Sequence, residues 1–61
     1  MSNLRDYEQV RADPLAWRAL KPGDRLTLRG RTLIVERVGE AELPVPCEMD
    51  GWAVDLRYED A

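Results

Sequence analysis

Cys47 is the single thiol in the chain, and no histidine accompanies it. A thiolate is the strongest nucleophile a protein offers, but at neutral pH it forms beside a base, a cation or a metal. The local pattern argues against that role. Leu43, Val45, Cys47 and Met49 alternate with Pro44, Pro46 and Glu48, so Cys47 is expected on an apolar face, where burial raises the pKa and leaves a small core hydrophobe. Without histidine the easiest general base at neutral pH is missing. One thiol also permits neither an internal disulfide nor a structural zinc site. No catalytic residue, cofactor or metal is therefore assigned.

Carboxylates supply the other available chemistry. Glu40, Glu42, Glu48, Asp50, Asp55, Glu59 and Asp60 follow no calcium-loop spacing. Asp13 reads as a helix cap, and Asp24 and Asp50 as turn residues beside Gly23 and Gly51. A chain of 61 residues also has little room to enclose a small-molecule pocket. The expectation is a protein that is not an enzyme.

The basic residues are more suggestive. Arg18, Lys21, Arg25, Arg29, Arg31 and Arg37 give residues 18–37 a balance of +4, against −6 for residues 38–61. Such asymmetry steers partners of either sign, or pairs one strand with its neighbour. The leading reading is a small adaptor, inhibitor or regulator that docks on a larger protein through Arg25, Arg29 and Arg31, with Ile34 beside them. The alternative is a single-stranded nucleic-acid module in which Arg25, Arg29 and Arg31 follow the backbone and Trp17 stacks on a base. Opposing it are a net charge of −3, a sequence pI near 4.8, and the more usual role of such a tryptophan as a helix anchor. A third reading makes Glu40, Glu42, Glu48, Asp55, Glu59 and Asp60 a mimic of phosphates.

The elements that position these groups follow from periodicity and turn chemistry. Residues 1–20 read as helical: Leu4, Tyr7 and Val10 after a Ser2 or Asn3 cap, then a restart at Asp13-Pro14 carrying Leu15, Trp17 and Leu20. Lys21-Pro22-Gly23-Asp24 ends that segment in a type II turn. A first hairpin is expected over residues 24–38, with a Gly30-Arg31 loop pairing Leu28 with Leu33, Leu26 with Val35 and Arg25 with Glu36. Ile34 then points to an otherwise polar face. Gly39 to Glu42 link it to a second hairpin over residues 42–58. There an Asp50-Gly51 loop pairs Met49 with Trp52, Cys47 with Val54, Val45 with Leu56 and Leu43 with Tyr58. Pro44 and Pro46 make residues 42–48 an edge strand.

The predicted architecture is α+β in one domain spanning residues 1–61: a short N-terminal helical segment on a four-stranded antiparallel sheet, or the same strands curled into a small barrel. Leu20-Lys21-Pro22-Gly23-Asp24-Arg25-Leu26-Thr27-Leu28 with Arg29-Gly30-Arg31 resembles the lead hairpin of SH3-like barrels. A domain this small hides only about 60% of its unfolded surface, so an interface is expected, with a protein partner or in a homodimer. No apolar run or cleavage pattern marks the N-terminus, and a cytoplasmic protein without a membrane segment is expected.

Overall fold

The computed structural model describes residues 4–42 and 47–60. Strand β1 (Leu4–Asp6) leads into helices α1 (Tyr7–Ala12) and α2 (Pro14–Arg18). Strands β2 (Arg25–Leu28), β3 (Arg31–Glu40), β4 (Cys47–Met49) and β5 (Trp52–Tyr58) follow. The class is α+β, as expected. The sheet, however, is mixed and five-stranded, in the order β1-β2-β3-β5-β4. It is open: β1 and β4 are its edges, so neither the purely antiparallel sheet nor the closed SH3-like barrel is present.

The fifth strand comes from the segment expected to be helical throughout. Leu4–Asp6 runs parallel to β2, pairing Leu4 with Arg25 and Asp6 with Thr27. The helix starts later because Asp6 is the cap: its Oδ1 accepts the Gln9 N–H at 3.0 Å. Asp-x-x-Gln is the spacing of a capping box. The expected caps Ser2 and Asn3 lie outside the described residues. Asp13 does restart the helix, with its Oδ1 accepting the Leu15 N–H at 3.0 Å and Pro14 in the first turn. The turn at Pro22-Gly23 is also as expected. Gly23 holds φ +96 and the Asp24 N–H reaches the Lys21 carbonyl at 3.0 Å.

Both hairpins form, and one of them is in an unexpected register. Met49 pairs with Trp52 and Cys47 with Val54, as read from the sequence. The pairs placed at Val45 and Leu43, and Pro44 and Pro46 themselves, lie outside the described residues. In the first hairpin the loop is Arg29-Gly30. It pairs Leu28 with Arg31, Leu26 with Leu33 and Arg25 with Ile34. Arg29 at φ 51 and Gly30 at φ 79 are both left-handed, as are Asp50 at φ 54 and Gly51 at φ 78. Both loops therefore have the signs of a type I′ turn, whose twist matches that of the strands. The slip from the expected register is two residues, which leaves every side chain on its expected face.

One extra residue shapes β3. Val35 pairs with Leu56 and Arg37 with Asp55, so Glu36 is a bulge. The alternation changes phase there. Leu33 and Val35 face the helices before the bulge and Val38 does so after it, which extends β3 through Gly39 and Glu40 rather than ending it in a linker. On this inner face Val10, Trp17 and Leu20 from the helical layer pack with Leu26, Leu33, Val35 and Val54. Trp17, at 0% exposure, is the centre of the core. Its Nε1 donates to the Trp52 carbonyl at 3.2 Å, and its ring meets Tyr7 edge-on at 6.0 Å. Leu15, grouped with Trp17 and Leu20 in the sequence reading of this helical restart, is 79% exposed, unlike those two. No helix is long and apolar enough to cross a membrane among the described residues.

Candidate functional site

Among the described residues the helical layer covers one face of the sheet, and the register determines what the other face carries. Across the strands, Leu4 of β1 lies beside Arg25 of β2, Arg25 beside Ile34 of β3, and Ile34 beside Arg57 of β5. The two apolar residues of this row are half-buried Ile34 and Leu4, which is 53% exposed. Asp6, Thr27 and Thr32 form the next row. This is the face on which Ile34 was expected to need a cover. The stems of Arg25 and Arg57 flank it, and long arginine stems shield apolar surface while their heads stay in water.

Those heads are held by carboxylates. Arg25 pairs with Glu59 at 3.0 Å and Arg57 with Glu36 at 3.1 Å. Arg25 was expected opposite Glu36, but the shifted register and the bulge send Glu36 to Arg57. Arg31 sits over the Tyr58 ring with its guanidinium 3.8 Å from the centroid, and its Nη2 lies 3.2 Å from Asp60. Tyr58, read from the sequence as the hairpin partner of Leu43, is 38% exposed. Arg37 binds Asp55 through both Nε and Nη2, at 2.9 and 2.6 Å. Arg18 donates to the Asp50 carbonyl at 3.1 Å and lies 5.5 Å from the Trp52 ring. The acidic C-terminal third thus neutralises much of the basic hairpin. Each exposed pair contributes only about 0–1 kcal/mol, but together they remove most of the charge asymmetry seen in the sequence.

The four residues expected to form one site are therefore divided. Arg25 and Ile34 share the uncovered face. Arg31 is pinned at the sheet end, and Arg29 occupies the loop tip. Arg29 has no ion-pair partner among the described residues. Trp17, the expected stacking ring of the nucleic-acid alternative, is sealed in the core and out of reach of a base. The carboxylates of the mimicry reading are likewise dispersed, with Glu59, Asp60 and Asp55 each engaged by an arginine.

Two further places have the shape to receive a ligand. The first is an open groove of about 620 Å³ between α1 and the two hairpins, lined by Tyr7, Glu8, Arg11, Leu28, Arg29 and Met49. The second is a smaller hollow of about 300 Å³ lined by Gly39 and Ala53 with Arg37, Glu40, Glu42 and Asp55. Sequence reading missed both, because each assembles residues from separate strands or from a strand and a helix.

Cys47 is half-buried, and its Sγ lies 3.2 Å from the Tyr7 hydroxyl, with which it shares a hydrogen bond. Partial burial and that bond push the Tyr7 hydroxyl up to about 12. A phenol held protonated in this way does not serve as a base for the thiol. No group of three or more metal-binding side chains converges among the described residues.

No protein-family model, no curated protein and no solved structure matches the chain.

Proposed function

We propose that this chain is a non-catalytic interaction module, an adaptor, inhibitor or regulator, that docks on a larger protein through the outer face of the β2–β3 hairpin. The observation that supports the reading is the row Leu4, Arg25, Ile34 and Arg57 on the face opposite the helical layer. Interfaces favour apolar centres flanked by arginine, whose planar head binds carboxylates and whose stem packs on apolar surface. Each arginine in the row is already oriented by a carboxylate, which lowers the entropy lost when a partner binds. Arg31, stacked on Tyr58, is in phase with Leu28 and Leu33 and so lies on the opposite face, outside this row. The proposed setting is the cytoplasm, a reducing compartment that suits a lone thiol.

The test is affinity capture with the wild-type chain and with Ile34→Asp. Ile34 is outside the core cluster, so the variant keeps the fold, which circular dichroism checks. A partner held by the wild type and lost by the variant supports the assignment. A partner held equally by both removes it. Binding of a mixed-sequence single-stranded oligonucleotide that weakens steeply with salt would transfer the site to nucleic acid.

A further inference from the structure

The two hairpin loops have the same left-handed pair of residues but differ in sequence. Asp50-Gly51 is a pair that a type I′ turn favours. Arg29-Gly30 places a long, unbranched cation where asparagine, aspartate or glycine is preferred. A side chain other than these in the left-handed region strains the backbone. Nothing within the described fold compensates for the choice: Arg29 forms no ion pair there, whereas Arg18, Arg25, Arg31, Arg37 and Arg57 all do. Arg11 of α1 is also without an ion-pair partner among the described residues. These two arginines line the same groove as the apolar side chains of Leu28 and Met49 and the ring of Tyr7.

We infer that this groove receives an acidic peptide segment of a partner protein, with an apolar side chain against Leu28 and Met49 and flanking carboxylates bound by Arg11 and Arg29. The charge of the rim selects the occupant. Arg11 and Arg29 against Glu8 leave the groove positive in a chain whose net charge is −3, so an acidic segment is attracted there. The open shape suits side chains of an extended segment better than an enclosed small molecule. The inference extends the protein-binding reading to a second surface. Its test is separate from the Ile34 test, because Ile34 lies on the opposite face of the sheet.

The probes are a capped six-residue peptide alternating leucine with glutamate and the same peptide with lysine in place of glutamate, titrated into the isotope-labelled chain and followed by amide NMR shifts. The glutamate peptide is expected to shift the amides of Tyr7 to Ala12, Leu28, Arg29 and Met49, and the lysine peptide to leave them in place. Arg29→Asn removes the guanidinium while giving the turn a residue it prefers, so this variant melts no lower than the wild type yet binds at least roughly tenfold more weakly. Arg11→Gln is expected to weaken binding similarly. Equal shifts with both peptides, no shifts with either, or unchanged affinity in Arg29→Asn would overturn the inference. Concentration-dependent shifts at the groove without peptide would overturn it too, by giving the groove to a second copy of the chain.

Discussion

Replacing each tryptophan in turn by phenylalanine tests the core directly, because the two indoles sit in opposite polar circumstances. Trp17 is fully buried and its Nε1 donates to the Trp52 carbonyl. Trp17→Phe removes that bond, worth about 1 kcal/mol, and leaves a void in the centre of the cluster that adds roughly 1–3 kcal/mol. The sum, about 2–4 kcal/mol, is a large part of the roughly 3–9 kcal/mol expected for a domain of this size. Trp52 differs: its Nε1 is buried without a hydrogen-bond partner among the described residues. Phenylalanine there relieves a desolvation penalty of about 1–3 kcal/mol. The change loses a similar amount of packing, together with the attraction of Arg18 lying 5.5 Å from the ring. Trp52→Phe should therefore remain within about 1 kcal/mol of the wild type. Urea melts followed by circular dichroism measure both, and the remaining indole gives an independent fluorescence trace. If Trp17→Phe were no more destabilising than Trp52→Phe, the assignment of Trp17 as the satisfied centre of the core would be wrong.

Further predictions concern the backbone and alkaline pH. Gly51 holds φ +78, and a Cβ added there would have nothing within 4 Å, so Gly51→Ala meets no clash and its cost is backbone strain of about 1–2 kcal/mol. Gly39 has the same free space without positive φ, so Gly39→Ala should be neutral or slightly stabilising; thermal melts that ranked the two the other way would contradict both conformations. Tyr7 is raised from 10.0 to about 12 by burial and its bond to Cys47. The folded state thus keeps a proton that the unfolded chain releases first, and this stability is present below pH 10 and lost as the pH rises toward about 12. Tyr7→Phe should flatten that alkaline decline, and an unchanged slope would mean that Tyr7 titrates normally.

Much of the fold was legible wherever a local rule had one outcome. Asp50-Gly51 set the second hairpin, Asp13-Pro14 restarted the helix, and Pro22-Gly23 turned the chain. Where two rules competed, the sequence left the outcome open. Gly30 suits the first position of one hairpin turn and the second of another, and the strand twist selected the second, moving Arg25 from Glu36 to Ile34. Leu4 fits a helical stripe with Tyr7 and Val10, but Asp6 and Gln9 carry a capping signal that starts the helix after β1. The parallel pairing of β1 with β2 left no local trace, since it depends on a crossover. The same holds for the candidate surfaces. Ile34 stood out as an apolar residue on a polar face, whereas Arg11 and Arg29 are far apart in sequence and meet only after the helix packs.

The position of β1 also bears on how the chain folds and opens. The two hairpins can close by short loops, on the microsecond scale typical of such elements. Strand β1 can dock only when both helices of the intervening crossover are in place. It has three residues, it occupies an outer edge, and it pairs with one neighbour. Local opening of the native protein should therefore begin there, uncovering the edge of β2 while the antiparallel ladders remain closed. Exchange of the β1 amide hydrogens that point toward β2 would then serve as a clock for completion of the helical layer, running ahead of exchange at Leu33 and Val35.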